Sequence, residues 1–214
     1  MLYMSMNRKC NAAEIEDSMN FAQRGLKRIF DIIVSLVGLI ICSPIFLIVA
    51  ILLKKREKGS IIFKQERIGY GGEPFYIYKF RTMHINAEVK GPQLACKEDE
   101  RLTKTGKFLR EHHLDELPQL WNVLKGDMSM VGPRPERQYF INQIMKRDSR
   151  YIFIFKMKPG VTSEATLYNG YTDTMEKMLE RLHMDLHYLQ TRSLWGDFVI
   201  IAKTAASILY GKKF

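Results

Sequence analysis

Residues 32–53 read IIVSLVGLIICSPIFLIVAILL, 22 almost wholly apolar residues in a chain that is otherwise charged and mixed. As an α-helix this stretch would measure roughly 33 Å, enough to cross the hydrocarbon core of a bilayer. It is not a cleavable leader, because more than about twenty polar residues precede it and no small-x-small site follows it. Near its middle stands Ser43-Pro44. Proline removes one backbone donor and clashes with the preceding turn, at about 3 kcal/mol in a regular helix, so a break or sharp kink is expected there. Each half is then roughly 15–18 Å long, enough to enter a membrane and return but too short to span it. Arg24, Lys27 and Arg28 precede the stretch, and Lys54, Lys55, Arg56 and Lys58 follow it. Positive charge on both flanks favours the cytoplasmic side for both ends, so the expectation is a re-entrant helix-break-helix rather than a single crossing.

Outward from this stretch the chain divides into a polar segment 1–26, the membrane element 27–58 and a globular part 59–214. With 214 residues there is room for one ordinary domain plus the membrane element. The net charge of +10 calls for an anionic partner: nucleic acid, lipid headgroups or a phosphorylated substrate. The three cysteines, Cys10, Cys42 and Cys96, are odd in number and scattered, which suggests neither a disulfide framework nor a zinc knuckle. A reducing compartment fits them.

Past the basic flank the period becomes two. Ile61, Phe63 and Gln65, then Phe75, Ile77 and Lys79, alternate on either side of Gly69-Tyr70-Gly71-Gly72, which predicts a β-hairpin with a glycine turn. A phosphate-cradling loop is the lesser reading, because the Lys-Ser/Thr ending and a spaced Gly-x-Gly-x-x-Gly opening a helix are both missing. Lys79 and Arg81 fall on one strand face, where they could jointly engage a phosphate.

The densest chemistry lies between Arg110 and Glu136. Pro118 fits a first helical turn, and Leu117, Leu120, Trp121 and Leu124 form an apolar stripe, so Asp115 and Glu116 are placed at a helix start. Asp115 could serve there merely as an N-cap. Two neighbours argue for more: Arg110 just upstream, and Arg134 held between Pro133 and Pro135 after Gly132. Two carboxylates and two arginines make a phosphate-and-metal site. Adjacent helical residues point about 100° apart, so one acid can attack phosphorus while the other holds a divalent ion. A carboxylate nucleophile divides phosphoryl transfer into two displacements, which suits a water-soluble donor followed by a lipid acceptor. Oxygen ligands favour Mg2+ over zinc.

These motifs resemble the bacterial sugar transferase family, the monotopic phosphoglycosyl transferases. The resemblance covers nearly everything beyond about Leu26. It rests on Lys27-Arg28 with Phe30-Asp31, the Ser43-Pro44 break, Lys79-Phe80-Arg81-Thr82-Met83, Leu114-Asp115-Glu116-Leu117-Pro118-Gln119-Leu120, Lys125-Gly126-Asp127-Met128-Ser129 and Gly132-Pro133-Arg134-Pro135. It implies Asp115 as covalent nucleophile, Glu116 as support for Mg2+, and Lys79, Arg81, Arg110 and Arg134 in or near the phosphate-binding surface. It also implies a UDP-sugar donor, an undecaprenyl (polyprenyl) phosphate acceptor and release of UMP at the start of a surface glycan. The place would be the cytoplasmic face of the bacterial inner membrane, in contact with its lipid. Larger members carry spanning helices ahead of this core, and only the core is expected here. The implied fold is α+β: a mainly helical, membrane-associated globule with a β-hairpin and an N-terminal re-entrant helix.

The C-terminal third departs from the family pattern, since Ser163-Glu164-Ala165-Thr166 stands where Gly-Leu-Ala-Gln is usual. Glu164 is read as a solvated loop residue rather than a sugar ligand. His183 and His187, an i,i+4 pair, are read as a polar helix face rather than a metal site, and His112-His113 as packing or polar contacts. An apolar helix is expected from Leu194 to Tyr210, ending at Gly211-Lys212-Lys213, in the core or on the membrane interface. A nucleic-acid-binding protein is the contrary reading of the charge, but no helix-turn-helix or ribonucleoprotein signature appears, so no nucleic-acid partner is expected. A noncatalytic membrane scaffold would not need Asp115-Glu116. A conventional metal-dependent glycosyltransferase would be expected to show an Asp-x-Asp.

Overall fold

The computed structural model describes residues 15–56, 59–87, 91–94, 99–170 and 172–209. Cys10, Cys96, Lys58, Tyr210 and Gly211-Lys212-Lys213, together with most of the 1–26 segment, lie outside the described residues. The architecture is α+β and mainly helical. A long apolar helix α1 (Phe21–Arg56) leads into a hairpin of β1 (Ile62–Ile68) and β2 (Pro74–Phe80). Then come α2 (Lys104–Glu111), α3 (Gln119–Lys125), β3 (Ser129–Val131) and α4 (Gln138–Arg147). The chain closes with β4 (Gly160–Thr162), the short α5 (Glu164–Tyr168), α6 (Met175–Thr191) and α7 (Leu194–Leu209).

Of the break or sharp kink expected at Ser43-Pro44, an interruption of the helix is not seen, since α1 runs continuously through both residues. Pro44 has no N–H and would leave the Ile40 carbonyl without a donor. The Ser43 hydroxyl supplies one at 2.8 Å, which is how a proline is tolerated where water is absent.

Both ends of α1 are fastened to the globular part. At the N-terminal end the buried Lys27 pairs with Asp197 on α7, and Asp31 Oδ1 accepts from the Met130 amide at 3.0 Å. Arg28 donates to the Val123 and Leu124 carbonyls at 2.6 and 2.9 Å, closing the C-terminus of α3. At the other end Val49 and Leu53 pack with Phe80 and Leu109, and Phe46 meets Phe80 edge-on at 5.2 Å. Ile40 and Ile41 between the two anchors, and Leu47 and Ile48 on the outer side of the second, are each more than half exposed. Two of the flanking cations, Lys27 and Arg28, are thus engaged by internal partners. Lys54, Lys55 and Arg56 remain exposed.

The hairpin forms as expected, with Phe63 opposite Lys79 and Gln65 opposite Ile77, and Gly71 and Gly72 take positive φ in its turn. The main core was less legible. A 3-10 stretch, Ser149–Lys156, buries Ile152, Phe153 and Ile154 against Ile141 and Ile144 of α4 and Met178, Leu182 and Leu189 of α6. The Leu117/Leu120/Trp121/Leu124 stripe needs correction. Leu120 and Val123 are the buried apolar residues of α3, whereas Trp121 is half exposed.

Two local devices set the framework of the site. Asn122, fully buried, donates to the Tyr76 carbonyl at 2.8 Å and accepts from the Tyr78 amide at 3.0 Å, tying α3 to β2. Asn122→Ala strands both groups and is expected to cost about 1–3 kcal/mol, read as a lower denaturant midpoint. Strands β3 and β4 pair in parallel, with Ser129 opposite Gly160. A Cβ at Gly160 would lie 2.1 Å from the Gly132 nitrogen and 2.5 Å from its oxygen. Both are backbone atoms and cannot swing aside. Gly160→Ala is therefore expected to destabilise by about 3 kcal/mol or more, visible as a drop in melting temperature.

Candidate active site

The acidic pair is placed by a forced change of direction. Helix α2, capped by the Thr103 side chain accepting from the Gly106 amide, ends at Glu111. His113 then takes a left-handed conformation (φ 54°), rare for a residue with a Cβ. The chain turns through a 3-10 segment, Leu114–Glu116, and Pro118 opens α3. Leu114 and Leu117 pack towards Phe80 and Leu109, so the turn is held against the end of the hairpin. The expected helix start is thus a 3-10 turn followed by a helix. Asp115 is not its cap, since that position belongs to Pro118.

Asp115 is buried, and burial pushes its carboxyl up to about 6. Lys79 pulls the other way, while the neighbouring Glu116 adds to the rise. Glu116 has the opposite character. Burial alone would raise it too, but Arg134 and Lys79 outweigh burial and hold it well below the usual carboxylate range. Its Oε1 accepts from Lys79 Nζ at 2.6 Å and from Arg134 Nη2 at 2.7 Å. Two adjacent carboxyls with divergent proton affinities suit two roles.

The other expected residues converge on the same space, a cavity of about 570 Å³ lined by Lys79, Arg81, Arg110, Asp115, Glu116 and Arg134 among others. Arg81 lies one residue beyond β2, but its amide still donates to the Ile61 carbonyl at 2.9 Å and it lines the cavity together with Lys79, while its Nε donates to the Ser60 carbonyl at 2.8 Å. Arg110 stands 3.7 Å from Asp99, with its Nη1 buried and making no hydrogen bond. Ser43 and Pro44 are not part of this cavity.

Several cavity residues escaped the sequence reading: Arg67, Arg101, Glu136, Arg137 and Arg181. Arg67 had a usable signal, because the alternation through Phe63 and Gln65 places it on the same face of β1 as those residues. Arg181 had none. It sits on the buried side of α6, between Met178 and Leu182, and reaches the cavity because Glu136 is there to receive it.

Among the described residues no group of three or more His, Cys, Asp or Glu gathers as a metal cage. Mg2+ typically needs only one or two carboxylates plus substrate phosphates, and the Asp115-Glu116 pair fits that demand. His183 lies 2.9 Å from Arg150 Nη2 and 3.5 Å from Asp148, a surface network on a polar helix face. His113 lines the cavity, where burial lowers its proton affinity. Glu164 heads α5, and the next two residues, Ala165 and Thr166, reach the cavity wall.

Residues 22–211 match the family model described as bacterial sugar transferase. Among curated relatives, the UDP-N-acetylgalactosamine-undecaprenyl-phosphate N-acetylgalactosaminephosphotransferase of Aeromonas hydrophila is 39% identical over 87% of this chain and 44% of its own length. The UDP-glucose:undecaprenyl-phosphate glucose-1-phosphate transferase of Klebsiella pneumoniae is 43% identical over 88% of this chain and 41% of its own. The exopolysaccharide production protein ExoY of Sinorhizobium fredii is 36% identical over 85% of this chain and 84% of its own. The chain thus spans less than half the length of the first two.

Proposed function

From the premise that the chain belongs to the bacterial sugar transferase family, we propose that it moves a sugar 1-phosphate from a UDP-sugar to a polyprenyl phosphate. The observation that supports this most is the split pair: a buried Asp115 of raised proton affinity beside a Glu116 kept ionised by Lys79 and Arg134. An Asp115 Oδ attacks the phosphorus that bears the sugar. The bond from that phosphorus to the bridging oxygen breaks, and the electron pair leaves with UMP. In the second displacement an oxygen of the polyprenyl phosphate attacks the same phosphorus and expels the Asp115 carboxylate, giving the polyprenyl-diphospho-sugar. Lys79 and Arg134 hold positive charge where the phosphate oxygens gather, and Arg110 and Arg81 extend that surface along the wall. Mg2+, held by Glu116 and donor phosphate oxygens, would neutralise phosphate charge. Burial of Asp115 limits the access of water to the acyl phosphate.

The membrane helix gives the acceptor its place. Among the described residues one helix is long and apolar enough to cross a membrane. We read it as re-entering from the cytoplasmic face of the inner membrane, because both of its ends are fastened to the same globular part while its middle stays exposed. Cysteines placed at positions 24 and 56 are expected to react only with cytoplasmic-side reagents, and labelling of either from the other side would reject re-entry. The product would begin a surface polysaccharide or glycoconjugate, in keeping with the exopolysaccharide role named for one relative. A UMP-release screen with polyprenyl phosphate and a panel of UDP-sugars tests the reaction and finds the donor. Release of UDP, or of nothing across the panel, would reject the assignment.

A further inference from the structure

The segment that presents Arg134 is built so that it cannot hold itself. Pro133 and Pro135 flank the arginine, so two backbone donors are missing, and the segment must be fixed through its acceptors. Three carbonyls show how. The Gly160 amide donates to Pro133 O at 2.9 Å, and the Ile68 amide donates to Glu136 O at 3.0 Å. The third, Pro135 O, is held by a side chain: Arg67 Nη1 donates to it at 3.0 Å.

The same guanidinium is committed further. Its Nη1 reaches Glu136 Oε2 at 3.3 Å and its Nη2 donates to Gln65 Oε1 at 2.6 Å. Glu136 in turn pairs with Arg181 Nη2, and Arg181 Nη1 donates to Thr172 Oγ1 at 2.8 Å. Strand β1, the Pro133–Glu136 segment and α6 are thereby joined beside the cavity. Arg67 achieves this while its own Nε is buried without a hydrogen bond. That is an unfavourable arrangement for stability alone, and the contacts to Pro135 O, Glu136 and Gln65 need the planar fork of an arginine.

We propose that Arg67 is a positioning residue: by holding Pro135 O and the Glu136 carboxylate, it fixes the direction in which Arg134 offers its guanidinium to Glu116 and to the donor phosphate. The inference rests on the transferase reading given above. Arg134 is 2.7 Å from Glu116 Oε1, within the span where a shift of about 1 Å costs about 100-fold in rate.

The test is a double-mutant cycle in purified full chain with the donor found by the UMP screen. Arg67→Gln is expected to lower kcat by about 10- to 100-fold while donor KM changes by less than about threefold. In an Arg134→Met background the same change is expected to cost less than about twofold, because the group it positions is gone. Arg67→Lys keeps the charge but not the fork, and is expected not to restore kcat. Equal losses in both backgrounds, a loss confined to KM, or full activity with lysine would each overturn the proposal. Should Arg67→Gln not fold, Gln65→Leu frees the fork more gently and is expected to give a smaller kcat loss that also vanishes without Arg134. A readout independent of turnover is nitrogen NMR of the Arg134 side chain in detergent. Its guanidinium resonance should be sharp and protected from exchange in the native chain and averaged in Arg67→Gln. An unchanged resonance would overturn the positioning role even if the chain proved to have a different activity, whereas absence of UMP release alone would strike only the reaction.

Discussion

Asp115→Asn is expected to lower UMP release by at least about 1,000-fold while leaving membrane association and folding intact. The amide is nearly the same shape as the carboxyl but cannot form the acyl phosphate. The fold itself offers the control. Asp115 is pushed up from 3.8 to about 6 by burial, so the folded state disfavours its ionised form. The sign follows from linkage: stability is lost as pH rises from the unfolded value through about 6, and a neutral asparagine escapes that loss. The variant should therefore melt no lower than the native chain at pH 7, and higher if the shift is fully expressed. Catalysis has the opposite slope. The nucleophile must be ionised, so turnover of the native chain falls as pH drops through about 6. A purified Asp115→Asn chain with substantial turnover, or a covalent sugar phosphate found by mass spectrometry only at another position, would remove Asp115 from the mechanism.

Glu116→Gln is expected to lower turnover by about 100-fold and to move the acid limb of the pH profile below 6. The two effects have separate origins. The first comes from losing the charge that holds Lys79 and Arg134, both bonded to Glu116 Oε1, in register with the phosphate. The second comes from Asp115, which loses a negative neighbour that had been raising its proton affinity and faces cations no longer neutralised by Glu116. Stability should fall as well. Glu116 is held well below its ordinary value, so it contributes stability that is present above about 4.5 and lost as pH falls through the lower folded value. Taking one partner from the largely buried Lys79 pair costs about 3 kcal/mol. An acid limb that stays at 6 in the variant would mean that the two carboxyls do not sense each other.

The hairpin was legible because alternation over two short runs, broken by glycines, admits few other structures. The reading stopped one alternate position short of its value. Continuing the alternation from Gln65 gives Arg67, which lies on the cavity face. Lys27, Arg28 and Asp31 were seen as a motif, but their work was not. Charge beside an apolar run reads as a membrane flank, and only the packed chain reveals that Asp197, Met130 and the end of α3 lie within reach. The stripe through Trp121 failed for a related reason. Helix α3 spans seven residues, too few for periodicity alone to decide which side is buried, and the β2 edge chose Asn122 and Val123.

By itself the sequence determined the kinds of element and the acidic and basic residues that the site draws on. The apolar run, the two-residue alternation and the spacing of Asp115-Glu116 from Arg110 and Arg134 follow from local patterns in the chain. Tertiary structure alone decided which charges meet. Arg67, Glu136 and Arg181 are separated by 69 and 45 positions, and Lys79 and Glu116 by 37, yet each set shares one ion network. The reason is physical. Local pattern fixes backbone conformation over a few residues, whereas burial and charge pairing depend on distances that exist only once the elements have packed.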